Sequence, residues 1–203
     1  MSVQITAMHM SDGLVNAPTS VMFGGAGNRG GRAVRLARAY RTRRTHRPLA
    51  GLVAAFIFAV QMINFPILPG VSGHLLGGAL AAILVGPYTG VLCITIVLVV
   101  QSLLFADGGV TALGGMNITN MALIGVTAGY AAARVLHALV RRRRPGSVPA
   151  LGVVGFLSAL FGTVCAAMGF VAEYAIGGSA PTSLGTVAAY MLGTHVLIGI
   201  GEG

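Results

Sequence analysis

The chain has 203 residues, 55% of them hydrophobic and only 8% charged, with a mean hydropathy of +0.85. Soluble domains carry about 25% charged residues, so the composition excludes a water-soluble globular protein and defines a single membrane-embedded one. The net charge of +9 comes from 13 basic residues, all arginine, in clusters that flank apolar spans without interleaved aromatics, so cytoplasmic anchoring explains them and nucleic-acid binding does not.

In chain order, residues 1–13, MSVQITAMHMSDG, are polar and turn-like at Asp12-Gly13. No secretory signal peptide is visible, because MSVQITA lacks a basic start and no apolar core follows it. Residues 14–28, LVNAPTSVMFGGAGN, are weakly apolar. As a helix they would span ~22 Å, short of the ~30 Å hydrocarbon layer. Arginine then recurs at every third position: Arg29, Arg32, Arg35, Arg38, Arg41, Arg44 and Arg47. A voltage sensor has this spacing. The intervening Gly30-Gly31, Thr42-Arg43 and Thr45-His46 are poor material for a crossing helix, and the stripe precesses by about 60° per step. Residues 14–48 therefore read as a weak first helix and a basic cytoplasmic segment.

Residues 49–203 form the predicted membrane helical domain. Leu49–Leu68 is one span with a break, since Pro66 removes a backbone donor and forces Phe65 out of helical geometry. A loop, Pro69-Gly70-Val71-Ser72-Gly73, leads to His74. Leu75–Val85 is short and ends at Gly86-Pro87, after which Tyr88–Phe105 continues. Asn117–Val140 stops on Arg141–Arg144, Pro149–Ile176 stops at the Gly177–Pro181 turn, and Leu184–Ile200 is cut off by the chain end at Gly203. The expected fold is all-α: a polytopic integral membrane helical bundle of about six helices, the last one truncated. Both arginine clusters fall inside if Pro69–Gly73 and Asp107-Gly108-Gly109 lie outside, which puts His74 near the external face. Cys93 and Cys165 sit within apolar runs and read as small core residues.

Three histidines are candidates for chemistry: His9, His74 and His195. If Met8 is the first residue, its amine, the backbone nitrogen of His9 and the His9 imidazole can chelate one metal in two fused rings, which favours a plane. One more nitrogen, such as the His74 imidazole, completes a four-nitrogen square. Tetragonal nitrogen sites suit Ni(II) and Cu(II), with Co(II) adjacent to Ni(II) in affinity. Asp107, Asn117 and Asn120 read as turn and capping residues, and Glu173 as an interfacial one. His195 and Glu202 share a helix face, free to pair with each other or with a neighbouring helix.

MHMSDG resembles the MHIPDG start of the CbiM/NikM-type substrate-binding (S) components of energy-coupling-factor (ECF) metal transporters. QMINFP, SGHLLGGALAAILVGP, QSLLFADGGVTALGGMNITNM and GTHVLIGIGEG are similar to that family's patterns in the same order. The resemblance implies that Met8 and His9 supply amine, amide and imidazole nitrogens, that His74 supplies the fourth, and that Asn64 supports the site. It implies a divalent ion as substrate, Co²⁺ first and Ni²⁺ second, with no organic cofactor, imported across a bacterial or archaeal cell membrane to feed cobalamin synthesis. The implied partners are a transmembrane coupling (T) subunit, ATPase subunits and a small accessory membrane subunit. No GxxxxGK[ST] motif occurs in the chain, so ATP hydrolysis is assigned to partners. Seven residues precede Met8, and an amine-chelating site requires a free amine at Met8, for which the simpler expectation is translation beginning at Met8 itself. The alternatives are a voltage-sensing or channel module built on the Arg29–Arg47 stripe, and an intramembrane metalloenzyme using His9, His74 and His195, for which no HExxH is present.

Overall fold

The computed structural model describes residues 15–23, 47–68, 71–105, 113–143 and 146–203. A short helix, α1 (residues 17–23), is followed by α2 (Arg47–Gln61), strands β1 (Asn64–Leu68) and β2 (Val71–His74), and helices α3 (Gly78–Val85) and α4 (Pro87–Phe105). A π-helical segment (Leu113–Gly125) runs into α5 (Val126–Arg143), and α6 (Val148–Gly177) and α7 (Leu184–Glu202) complete the chain.

The four long apolar stretches, α4, Met116–Arg143, α6 and α7, are each long enough to cross a membrane, as the composition predicts. Their outward surfaces are apolar: Ile96, Leu103 and Leu104 on α4, Val135 and Leu139 on α5, Phe161 and Met168 on α6, and Leu197 and Ile200 on α7 are all exposed. Polar side chains turn inward instead, including Gln61, Gln101, Asn117, Asn120, Ser158, Thr163 and Glu173. Lipid solvates the apolar exterior at no cost, whereas a polar side chain in hydrocarbon must find partners inside the bundle. This is a multi-pass helical membrane protein.

α6 is the central helix, packed against α5, α7 and the π-helical segment. Small residues make the crossings close. A Cβ on Gly162 would lie 2.8 Å from the Gly125 carbonyl oxygen, and one on Gly129 would lie 2.9 Å from the Ala79 Cβ. In a bilayer, where burying apolar surface gives no drive between helices, such backbone approach supplies the dispersion contact that holds the bundle. Ser183 caps α7 by accepting from the Thr186 amide at 3.2 Å. Tyr174 Oη donates to the carbonyls of Ala180 and Thr182 at 2.9 and 2.8 Å, which fastens the α6–α7 connection. At the other end of the chain, Val15 bridges Gly178, and Asn16 N–H donates to Gly177 O at 2.7 Å.

The span expected over Leu49–Leu68 ends its helix at Gln61 and continues as a strand. Val71–Gly73 of the expected loop before His74 are strand, and the helix predicted from Leu75 begins only at Gly78, lasting eight residues. α2 alone covers ~22 Å. β1 adds ~16 Å of contour at about 3.3 Å per residue, so helix and strand together exceed the ~30 Å hydrocarbon thickness. A two-stranded hairpin thus stands where the ends of two helices would otherwise be, and it packs along α7. Non-helical backbone is tolerated at membrane depth when protein covers it.

Candidate metal centre

Antiparallel pairing in the hairpin opposes Asn64 to His74, Phe65 to Gly73, Pro66 to Ser72 and Leu68 to Val71, with an irregularity between Pro66 and Leu68. Proline lacks the ladder donor, and an irregular position in a two-stranded edge is where it is accommodated. The backbone positions of Asn64 and His74, ten residues apart in sequence, are therefore direct partners. Met8 and His9 lie outside the described residues, as do Asp107 and Arg29 to Arg44 of the arginine stripe.

His74 closes β2 and is 4% exposed. Its Nδ1 lies 2.8 Å from Leu75 O. A carbonyl oxygen can only accept, so in the neutral ring Nδ1 carries the proton and the lone pair sits on Nε2. That tautomer is the one an ion-coordinating imidazole needs, with the remote N–H held by a backbone carbonyl.

The residues after His74 are held from three helices. Gln61 Nε2 donates to Leu76 O at 2.8 Å. Leu76 N–H and Gly77 N–H donate to Glu202 Oε2 and Oε1 at 3.1 and 2.8 Å, and Thr163 Oγ1 donates to Oε2 at 3.1 Å. Gly77 has φ 72°, and a Cβ there would meet Ile57 Cγ1 at 2.8 Å. Glycine alone makes this left-handed turn without strain while lying against α2. Leu76 packs in the core with Val53, Ile57, Ile94, Val126 and Ile198.

Other polar groups fall differently from expectation. Glu173, one turn before the end of α6, is covered by protein: it is 1% exposed, and Asn120 Nδ2 donates to its Oε2 at 2.7 Å. Asn117 and Asn120 are not caps but buried residues of the π-helical segment. π-helical turns are rare and often sit at functional sites. His195 Nδ1 bonds back to Met191 O at 2.7 Å, one turn earlier on its own helix. Glu202 takes its partners from α6 and the turn before α3, the second of the two pairings open to it. Among the described residues no three of His, Cys, Asp and Glu gather to hold an ion. Sequence reasoning gave no role to Gln61 or Thr163. Gln61 was legible only as the first residue of QMINFP, a lone amide near the end of an apolar helix, and Thr163 had no local sign.

Fold and hairpin define a class: a polytopic membrane protein that presents one buried, tautomer-fixed imidazole on strand backbone within a helical bundle. Residues 9–203 match the sequence model of the CbiM family, described as the cobalt uptake substrate-specific transmembrane region. The chain belongs to the CbiM family. It is 43% identical over 156 residues to a putative fused nickel transport protein NikMN of Archaeoglobus fulgidus, covering 76% of this chain and 49% of that one. It is 41% identical over 157 residues to a putative metal transport protein of Haloquadratum walsbyi (77% and 66% covered). To a cobalt transport protein CbiM of Sorangium cellulosum it is 36% identical over 114 residues (56% and 47%). The chain thus spans about half to two thirds of the length of these relatives. In architecture it is similar to the crystal structure of a truncated transition metal transporter, with TM-score 0.81 and 26% identity, covering 96% of this chain and 92% of that one.

Proposed function

We propose that this protein is the substrate-binding membrane subunit of an ECF-type importer, taking up Co²⁺ first and Ni²⁺ second. The ion is the cargo. Its donors are the Met8 amine, the His9 amide and imidazole nitrogens, and His74 Nε2, with Asn64 supporting the site. The observation that carries this reading is His74: it is buried, and its Nδ1 bond to Leu75 O selects the tautomer whose lone pair is on Nε2. Family membership and relatives whose names specify nickel and cobalt support the same ions.

Four nitrogens in one plane supply the tetragonal field that Ni(II) prefers and Co(II) accepts. Each donor must be deprotonated before it binds, so uptake of the ion releases protons. The charged cargo then crosses to the inside when a transmembrane coupling subunit and ATPase subunits turn over ATP, with a small accessory membrane subunit completing the assembly. Imported cobalt would serve cobalamin synthesis in a bacterial or archaeal cell.

The test is metal content and affinity of purified protein beginning at Met8, measured by elemental analysis and by titration with Ni²⁺ or Co²⁺. One ion per chain is expected, and His74→Ala should lose it while still inserting into the membrane. An alanine variant that binds with unchanged affinity would refute the site.

A further inference from the structure

We propose that Glu202 is a positioning residue for the ion, acting through one peptide plane to aim and polarise the His74 ring. This rests on the reading of His74 as a metal donor. The Leu75 carbonyl and the Leu76 N–H belong to the same peptide unit, which is planar and rigid. Its oxygen takes the proton of His74 Nδ1 at 2.8 Å, and its N–H points to Glu202 Oε2 at 3.1 Å. The next peptide unit is held at both ends as well. Leu76 O accepts from Gln61 Nε2 at 2.8 Å, and Gly77 N–H donates to Glu202 Oε1 at 2.8 Å.

Two consequences follow from this geometry. The first is mechanical. Gly77 is the N-cap of α3 and has no side-chain capping bond. The N–H groups of Leu76 and Gly77, just ahead of the first helical residue, are instead held by a carboxylate 125 residues beyond Gly77 in the chain. Thr163 Oγ1 on α6 then fixes the carboxylate by donating to Oε2 at 3.1 Å. The turn beside His74 cannot rotate without breaking several bonds at once.

The second consequence is electronic. The path from imidazole to carboxylate runs His74 Nδ1–H to Leu75 O, through the amide, to Leu76 N–H and Glu202 Oε2. A negative charge at the N–H end makes the carbonyl a stronger acceptor. A stronger acceptor at Nδ1–H makes the opposite ring nitrogen a better metal donor. Metal-binding histidines often give their second N–H to a carboxylate directly; here a peptide group stands between them.

The experiment titrates the purified full chain, begun at Met8, with Ni²⁺ alone and records the ligand-field absorption spectrum at saturation. Glu202→Gln keeps the shape but removes the charge, and should weaken Ni²⁺ binding by ~10–100-fold, the scale of partner loss around metal-bound histidines. Its ligand-field bands should shift, because a weaker donor changes the field at the metal, which a purely structural role would not do. Glu202→Asp should restore part of both. Thr163→Val, nearly isosteric, should shift both in the same direction but less, and it decides the matter if Glu202→Gln does not fold. Wild-type affinity and spectrum in a folded Glu202→Gln or Thr163→Val would overturn the proposal, as would weakened binding with an unmoved spectrum. If instead wild-type protein binds no Ni²⁺, or His74→Ala binds it as well as wild type, the metal-donor reading of His74 fails and this inference with it.

Discussion

Gly162→Ala should destabilise the protein although alanine is the better helix former. The added Cβ would sit 2.8 Å from Gly125 O and 3.2 and 3.3 Å from Gly129 Cα and N. All three neighbours are backbone atoms, so no side chain can swing aside and α6 must move from α5 as a body. Overpacking of this kind costs about 1–3 kcal/mol. Replacing an unstrained glycine gains about 0.4–1 kcal/mol by narrowing the unfolded ensemble. The overpacking term outweighs the gain over most of these ranges, and a net loss of about 0–2.6 kcal/mol is expected. Gly152 and Gly155 lie on the same helix, and a Cβ on either would meet nothing within 4 Å. Alanine at those two sites should be neutral or slightly stabilising. Unfolding of the three purified variants in mixed micelles, titrated with a denaturing detergent, compares them on one scale. Equal stability of Gly162→Ala and Gly152→Ala would refute the claim that backbone approach holds this crossing.

Asn120→Leu should cost about 1–3 kcal/mol in the same assay, because it takes the partner from a buried carboxylate whose Oε1 already lacks one; adding Glu173→Leu should recover much of the loss. Cysteines at Thr45 and Gly146 should resist a membrane-impermeant thiol reagent in intact cells while one at Val71 reacts, and the reverse labelling would invert the orientation. A chain begun at Met8 should bind Ni²⁺ tightly, whereas one begun at Met1, in which the Met8 nitrogen is an amide, should bind it far more weakly; equal affinities would eliminate the amine donor. Affinity should fall steadily as pH drops, since protons compete with the ion for every donor nitrogen, and a flat titration from pH 8 to about 6 would contradict an all-nitrogen site.

Much of the architecture is legible residue by residue. Apolar runs report a lipid environment because each side chain there is solvated on its own account. Leu184–Ile200, Pro149–Ile176 and Tyr88–Phe105 accordingly match α7, α6 and α4 to within two residues. Pro66 keeps α2 from continuing through Phe65, because its missing donor and its clash with Phe65 are local facts, although the helix already stops at Gln61. His74 stands out for the same kind of reason, as a lone imidazole beside that break. What the tertiary structure alone decided is the pairing of groups distant along the chain. Nothing near Asn64 says that its backbone faces His74, since register depends on how the whole hairpin closes. Nothing near Glu202 points to Leu76 and Gly77, and nothing near Glu173 points to Asn120. Hydropathy records whether a group prefers water or lipid, but a buried polar group belongs to neither, and its place is set by the partner that the fold brings to it.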